Sequence, residues 1–255
     1  MSEIDNNYEL LLLDVDGTLV ESKGGALPSS RVIEAVKSAA DKIDVAIITG
    51  RPFEFTKDVI SSLGLTGYGV FNGGAEIIDI STGQQIHRQT MSVPVAREAA
   101  SIALKYGYTV FNTMGSDEVA FTSSDEITES SDKLLIVDVP SSKSSEVVRA
   151  LEAVKGTVTH PVSAWSDEDV VNITVAHEYA SKQHGAEQIM QLLGHAKAQT
   201  MAIGDGHNDI PLIQAAGLGI AMGDAPSEVK EIADYVTSSL AKDGVADAIE
   251  KFILK

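Results

Sequence analysis

The sequence predicts an α/β protein: a doubly wound parallel sheet into which a smaller α+β module is inserted. Three observations predict it. Short apolar strands alternate with amphipathic helical stretches in the first third of the chain, and the alternation returns in the last third. Between them the pattern changes to helices followed by paired strands. Alternating β and α segments are typical of a parallel sheet with right-handed crossovers, whereas grouped hairpins and helices are typical of α+β folds.

The first third of the chain predicts a βαβαβ unit. Its first strand is a run of four leucines without alternation, which is typical of a central parallel strand covered on both faces. Pro28 near the start of one helix and Gly64 at the end of the next are the expected boundary residues. The predicted elements are a strand at 10–13, a helix at 28–40, a strand at 45–48, a helix at 53–63 and a strand at 69–71.

The last third predicts the same pattern again. Gly194 is expected to end its first helix, because glycine is the common residue just past a helix end. The predicted elements are a helix at 181–193, a strand at 200–203, a helix at 209–216, a strand at 218–221, a helix at 226–233, a strand at 235–236 and a helix at 244–253.

The middle of the chain predicts the inserted module. A hairpin with strands at 76–80 and 85–89 precedes two helix-then-two-strand units, which suggest a weak internal repeat. We expect residues 1–81 and 178–255 to form the core and residues 82–177 the module; the alternative is one irregular sheet. The predicted elements of the module are a helix at 95–105, strands at 108–112, 118–122 and 133–139, a helix at 144–154, and strands at 157–162 and 170–175.

Composition and charge exclude several classes of function. The 255 residues, 44% of them hydrophobic, can bury a sizeable core, and no apolar run approaches the roughly 18 residues of a membrane span. A formal net charge of −18 disfavours nucleic-acid partners, which want a basic surface. Without cysteine there is no thiolate nucleophile or zinc–thiolate site. The acidic N-terminal residues lack the features of a secretory signal, so the sequence predicts a cytoplasmic protein.

Polar, glycine-rich sequences follow four of the predicted strands. In an open α/β sheet, ligands bind beyond the carboxyl ends of the strands. Each sequence alone could be an ordinary turn, because Gly, Asn and Asp are also what turns need, but four at one sheet edge indicate a site. The four sequences are DVDGT at 14–18, TGR at 49–51, NGG at 72–74 and GDGHND at 204–209.

Four aspartates are expected to crowd this edge: Asp14, Asp16, Asp205 and Asp209. Carboxylates that lie so close either acquire a raised pKa or recruit a cation. Oxygen ligands without histidine or cysteine suit a hard ion, and Mg²⁺ is the usual choice where a phosphate supplies further ligands. The sequence therefore predicts a magnesium site.

The spacing of Asp14 and Asp16 suggests two different roles. Residues i and i+2 of an extended chain share a face, so both carboxylates can point at one reacting centre. One can attack and the other can carry a proton, and attack on phosphorus makes an acyl phosphate. Thr49, with nearby backbone N–H groups such as that of Gly50, could hold phosphoryl oxygens. Lys182 could bring positive charge, although a surface lysine is the default interpretation of any lysine taken alone.

These motifs carry a family resemblance. DVDGT, ITGR, the lysine in YASKQHGA and GDGHNDIPL occur in this order, and together they resemble the four motifs of the haloacid dehalogenase (HAD) superfamily of phosphatases. The insertion beyond NGGAEI is similar in position and size to the type IIB cap of the Cof-like branch, and the tail GIAMGDAPSEVKEIADYVTSSLAKDGVADAI resembles the C-terminal pattern of that branch. The resemblance implies a Rossmann-like HAD core with an inserted type IIB cap.

The resemblance also implies roles for the matching residues. Asp14 would be the nucleophile that becomes an aspartyl phosphate, and Asp16 would be the general acid and then the base. Thr49 would hold the phosphoryl oxygens, and Lys182 would neutralise charge. Mg²⁺ would be held by Asp14, Asp205 and the main-chain carbonyl of Asp16, with Asp209 supporting the metal shell. Two further residues would contact or border the phosphate, Asn72 and Asn208.

We favour a Mg²⁺-dependent phosphatase that acts on a small soluble phosphomonoester, such as a sugar phosphate or phosphoglycolate. The inserted module would be its lid, and the expected assembly is a monomer or a homodimer. The alternatives are a signalling receiver that stores phosphate on an aspartate, a phosphomutase of the same fold and an inactive binding protein. Asp16 and the size of the insertion argue against the receiver. His207 is interpreted as a loop residue, and Trp165 as either a pocket residue or a core residue.

Overall fold

The computed structural model describes residues 8–22, 25–163 and 169–255. The first part of the chain forms β1 (Leu10–Leu13), α1 (Ser30–Ala40), β2 (Asp44–Ile48), α2 (Lys57–Leu63), β3 (Tyr68–Phe71), β4 (Glu76–Asp79) and β5 (Gln84–Arg88). The middle forms α3 (Val93–Lys105), β6 (Thr109–Met114), β7 (Asp117–Phe121), β8 (Lys133–Pro140), α4 (Ser141–Leu151), β9 (Thr157–Ser163) and β10 (Val170–His177). The last part forms α5 (Lys182–Leu193), β11 (Thr200–Gly204), α6 (Ile210–Ala215), β12 (Leu218–Ala221), α7 (Ser227–Ile232), β13 (Tyr235–Val236) and α8 (Gly244–Phe252). The predicted order of helices and strands is confirmed.

Eight strands form the first sheet, in the order β13-β12-β11-β1-β2-β3-β4-β5. The strands from β13 to β3 are parallel, and β4 and β5 add an antiparallel hairpin at one edge. Residue 82, where the module was expected to begin, lies in the turn of this hairpin, and β5 still pairs with β4. The division of the chain into domains stays a prediction, and we propose to draw its first boundary after Arg88.

The four leucines of β1 are fully buried because β1 lies at the centre of this sheet. Leu11 and Leu13 share one apolar cluster with residues of α1, α2 and α8. Leu10 and Leu12 share another with residues of α5 and α6 on the opposite face. Helices therefore cover both faces of the sheet, which explains why the strand has no polar alternation.

Helix α2 begins at Lys57, four residues later than predicted. The N–H groups of Phe55 and Thr56 donate to the carbonyls of Pro52 and Phe53, so this stretch forms tight turns and not the first turn of an α-helix. Gly64 ends the helix with a φ of +66°, as its sequence position indicates.

The inserted module has its own antiparallel sheet of five strands, in the order β7-β6-β8-β10-β9. One face of this sheet packs with α3 and α4 in an apolar cluster. The other face turns toward the carboxyl edge of the first sheet, where side chains of β8, β9 and β10 line a cavity. The module therefore covers the edge at which the sequence predicts the site. Among the described residues, no helix has the length and apolar character to cross a membrane.

The central position of β1 predicts a large difference between two chemically identical substitutions. Leu12→Ala should lower the free energy of unfolding by about 2–5 kcal/mol, because it opens a cavity where the chain cannot relax. Leu192→Ala, at a position that is 46% exposed on α5, should cost less than about 1 kcal/mol. Urea unfolding of both variants measures the two values, and equal losses would contradict the described packing of β1.

Candidate active site

The ammonium group of Lys182 lies between two buried carboxylates at the carboxyl edge of the first sheet. Its Nζ donates to Oδ1 of Asp14 and to Oδ1 of Asp209, each at 2.5 Å. Asp14 directly follows β1, Asp209 follows β11, and Lys182 is the first residue of α5, which Ser181 caps. The structure therefore brings together three of the residues predicted for the site, and the surface interpretation of Lys182 is wrong because only 5% of the residue is exposed.

Asp205 joins this group through the turn that follows β1. Thr18 Oγ1 donates to Oδ1 of Asp205 at 3.1 Å. Gly17 has a φ of +77°, and a Cβ at this position would overlap with the Asp205 carboxylate. Glycine is therefore required here both for the left-handed backbone and for the close approach of the two segments.

Asp209 fixes the loop that carries Asp205. Its Oδ2 accepts hydrogen bonds from the backbone N–H groups of Asp205 at 3.1 Å and of Gly206 at 2.9 Å. One oxygen of Asp209 thus holds the loop while the other holds Lys182. The carboxylate is fully buried, so its hydrogen bonds replace the water that it has lost.

Oxygens of three carboxylates, those of Asp14, Asp205 and Asp209, all lie within 4.8 Å of one another. Burial and then the charge of Asp209 raise the pKa of Asp14 well above its ordinary value, although Lys182 lowers it. The same two causes raise the pKa of Asp205 to about 6. Such a crowded, buried acidic group can hold a metal ion, and the added positive charge would relieve the repulsion.

The carboxylate of Asp16 is not part of this acidic group. Arg51 holds it through two hydrogen bonds, from Nε to Oδ2 at 2.8 Å and from Nη2 to Oδ1 at 2.6 Å. A bidentate pair of this kind fixes the orientation of the carboxylate as well as its position. As a metal ligand, Asp16 is therefore left with its main-chain carbonyl, which is the role that the resemblance implies, and that role stays a prediction.

Thr49 and Asn72 follow the neighbouring strands. Thr49 is buried, and its Oγ1 accepts the N–H of Arg51 at 3.1 Å, so the hydroxyl hydrogen is left to donate elsewhere. The amide of Asn72 donates to Oε2 of Glu76 at 2.8 Å and to the carbonyl of Gly115 at 3.0 Å. Both amide hydrogens of Asn72 are thus engaged. Its buried Oδ1 has no partner among the described residues.

A cavity of about 80 Å³ adjoins this group of residues. The core contributes Gly50, Asn72, Lys182 and Asn208 to its wall, and the inserted module contributes strands β8, β9 and β10. His160 of β9 is one of the module's lining residues, and burial lowers its pKa. Four of the predicted phosphate-binding residues therefore face the same cavity as the inserted module, whereas Asp14 and Thr49 do not line it.

Two residues of this region were not predicted from the sequence as site residues. Arg51 lies in the ITGR motif, directly after Gly50, and that position was the available signal. Lys133 lines the cavity from β8, and no sequence signal marks it, because a lysine at the start of a strand is ordinarily solvent-exposed.

His207 lies exposed in a short turn, whereas Trp165 falls outside the described residues.

The family comparison matches most of the chain. A model of the haloacid dehalogenase-like hydrolases matches residues 11–133 and, overlapping with them, residues 116–249. The chain belongs to this family. The resemblance to the HAD superfamily that the motifs carry is therefore confirmed, and the receiver interpretation loses its support.

Several relatives of this HAD protein are named as phosphatases. The 5-amino-6-(5-phospho-D-ribitylamino)uracil phosphatase of Bacillus subtilis is 28% identical over 252 residues, covering 98% of either chain. A phosphoglycolate phosphatase of Methanothermobacter thermautotrophicus is 26% identical over 253 residues, covering 95% of this chain and 98% of its own. A solved HAD subclass IIB sugar phosphatase has a TM-score of 0.81 at 22% identity, covering 96% of this chain and 98% of that one. The predicted fold, a HAD core with a type IIB cap, and the predicted enzyme class, a HAD-type phosphatase, are confirmed.

The contact between Gly17 and Asp205 predicts a specific effect of one added methyl group. Gly17→Ala should destabilise the protein and displace Asp205, so that Mg²⁺ no longer raises the temperature of unfolding. Gly83→Ala is the matched control, because Gly83 also has a positive φ, +71°, but nothing lies within 4 Å of an added Cβ. The control should lose about 1 kcal/mol from backbone strain and keep its response to Mg²⁺. Thermal unfolding with and without Mg²⁺ measures both, and an undiminished response of Gly17→Ala would contradict the site.

Proposed function

We propose that the protein is a Mg²⁺-dependent phosphatase that hydrolyses a small soluble phosphomonoester through an aspartyl phosphate on Asp14. One observation carries the proposal: Asp14, Lys182, Asp205 and Asp209 meet at one point beside a small cavity that the inserted module helps to line. A neutral ligand would gain little from so many charges in a buried place. A phosphoryl group together with a divalent cation uses all of them.

The residues present fit Mg²⁺. The acidic group offers oxygen ligands, which a hard divalent cation prefers. Burial and mutual repulsion raise the pKa of Asp14 and of Asp205, so a cation beside them would stabilise their ionised forms. The ligands would be the carboxylates of Asp14, Asp205 and Asp209 and the main-chain carbonyl of Asp16. When bound, the ion supplies the positive charge that lets an anionic carboxylate approach an anionic ester.

In the first step, a carboxylate oxygen of Asp14 attacks phosphorus. Lys182 holds Oδ1, so we assign the attack to Oδ2. The bond from phosphorus to the ester oxygen breaks, its electron pair stays on that oxygen, and a proton from Asp16 converts the oxygen into a hydroxyl. In the second step, Asp16 takes a proton from water and the water oxygen attacks phosphorus. The bond from phosphorus to the Asp14 oxygen breaks, its electron pair returns to the Asp14 carboxylate, and inorganic phosphate leaves.

Three other groups are placed to bind the transferring phosphoryl group. The hydroxyl of Thr49 accepts a hydrogen bond from the N–H of Arg51, which leaves its own hydrogen for a phosphoryl oxygen. The N–H of Gly50 and the ammonium of Lys182 supply further positive charge at the same edge. Arg51 keeps the Asp16 carboxylate in one orientation. Donors that are fixed before the reaction stabilise the developing charge without having to reorganise.

The inserted module selects the leaving group in this proposal. The cavity of about 80 Å³ is well below the roughly 300 Å³ of a pocket for a drug-sized ligand, so it favours the smaller members of the substrate class proposed here. Sugar phosphates, phosphoglycolate and similar metabolites are the class that we propose. The names of relatives support a phosphomonoester, because they include a phosphoglycolate phosphatase. A cytoplasmic location and a monomeric or dimeric assembly stay predictions.

Asp14→Asn should reduce turnover by about 10³-fold or more, because an amide oxygen is a poor nucleophile. The measurement is the release of inorganic phosphate from p-nitrophenyl phosphate, ethyl phosphate and 2-phosphoglycolate with Mg²⁺ present. Asp58→Asn, at an exposed position on α2, is the control and should keep full activity. Retained turnover in the Asp14 variant would reject the nucleophile. Transfer of the phosphate to a second site on the substrate, in place of its release, would indicate a phosphomutase.

Removal of divalent metal should abolish the phosphatase activity. Treatment with EDTA, followed by dialysis, should abolish phosphate release, and added Mg²⁺ should restore it. The reason is that the cation offsets the repulsion between the Asp14 carboxylate and the anionic ester. The same treatment of Asp58→Asn serves as the control. Full activity of the EDTA-treated enzyme would contradict the metal assignment while leaving the nucleophile to be judged by the Asp14 variant.

A further inference from the structure

Lys133 reaches from the inserted module into the core. It is the first residue of β8, only 9% of it is exposed, and its Nζ donates to the carbonyl of Gly50 at 2.8 Å. Gly50 directly follows Thr49, so the ammonium lies next to the predicted phosphate-binding loop. The mechanism proposed above does not use this cation.

Lys133 has no carboxylate within ion-pair distance among the described residues. Of the four acids whose charges act on it, Glu118 forms no ion pair with it, whereas Asp132 accepts from Arg88 at 2.7 Å and Glu76 accepts from Asn72 at 2.8 Å. Asp16 is likewise held by Arg51. A buried ammonium has three hydrogens to donate, and one neutral carbonyl satisfies only one of them. Burial accordingly lowers the pKa of Lys133, although Glu118 and Asp132 act in the opposite direction.

Lys133 lines the cavity, so a ligand in the cavity can accept its unused hydrogens. Lys133 and Lys182 both line it, together with Asn208 and His160. Burial lowers the pKa of His160, so this ring is neutral at pH 7 and adds no second positive charge to the module's side of the cavity. The enclosed space thus has one ammonium beside the reacting carboxylate and another on the module.

We infer that Lys133 binds a carboxylate on the leaving group, so that the preferred substrates are phosphate esters of two- or three-carbon hydroxy acids. This inference rests on the proposed phosphatase function. The cavity volume of about 80 Å³ favours such a leaving group over a hexose or a nucleoside. A carboxylate can accept the two unused hydrogens of the ammonium in charge-assisted hydrogen bonds.

The test compares two esters of nearly the same size, 2-phosphoglycolate and ethyl phosphate, which differ in the carboxylate. The wild type should favour 2-phosphoglycolate by about 10- to 100-fold in kcat/KM, the usual effect of a hydrogen-bonded charge. Lys133→Met should abolish this preference by raising KM for 2-phosphoglycolate while leaving ethyl phosphate within about threefold, because the carboxylate is remote from the reacting bond. Lys133→Gln keeps a donor without the charge and should also lose the preference.

Lys143→Met is the matched control, since its ammonium lies on the exposed surface of the same module, paired with Glu146. It should keep the wild-type ratio. The inference is overturned if the wild type does not distinguish the two esters, or if Lys133→Met lowers both equally, which would indicate a purely structural role. Thermal unfolding identifies a variant that fails to fold, and the wild-type ratio then decides alone.

The outcome also separates this inference from the proposed function. If p-nitrophenyl phosphate is hydrolysed with Mg²⁺ but the carboxylate gives no advantage, the phosphatase stands and the role of Lys133 falls. If no ester is hydrolysed, the proposed function falls. Calorimetric titration of Asp14→Asn with 2-phosphoglycolate and with ethyl phosphate then measures whether Lys133 recognises the carboxylate, and equal affinities would overturn the inference.

Discussion

The pair of contacts that Lys182 makes with Asp14 and Asp209 is the constraint on which the rest of the site depends. The two contacts join residues that are 168 and 27 positions apart in the chain. Burial lowers the pKa of Lys182, but the two carboxylates raise it by more. The net pKa lies above the ordinary value of a lysine, so the side chain stays charged. Loss of the ammonium would leave two buried carboxylates uncompensated, which is far more costly than the loss of an exposed ion pair. The site can therefore form only when the first and last segments of the core have assembled.

Several polar contacts among the described residues connect the inserted module to this core. Arg88 of β5 donates to Asp132, which also accepts the N–H of Gly115 at 2.6 Å. Asn72, in the loop after β3, donates to the carbonyl of the same Gly115, and Lys133 donates to Gly50. The contact at Gly50 falls on the loop that the proposed mechanism uses for the phosphate, and the contact at Asn72 involves a residue that the resemblance places at the phosphate. The position of the module is thus coupled to the phosphate-binding loops by hydrogen bonds and not only by apolar packing.

The sequence predicts the elements of the fold and the aspartates of the site because the signals for both are local. Unalternated leucines indicate a central strand, and DVDGT and GDGHND mark two strand ends at which the acidic side chains must converge. The start of α2 was misplaced because turns at Pro52 use the same residues as a helix start. Lys133 escaped prediction for a different reason: its burial results from the docking of two sheets, and no spacing of residues along the chain encodes that contact. Arg51 needs the same three-dimensional information, since its partner Asp16 lies 35 residues away.

The chain and its proposed substrates are both negatively charged. The substrate must therefore be bound by positive groups that lie close to it in the site. A net charge of −18 would repel an anionic ester from a distance. At physiological salt, however, charges more than about 8 Å away through water are largely screened. Lys182, Arg51 and Lys133 all lie at the one edge where the strands end, in surroundings that water screens poorly. Their few positive charges therefore outweigh the many acidic groups of the surface, and the same poor screening makes the buried carboxylates depend on the cation between them.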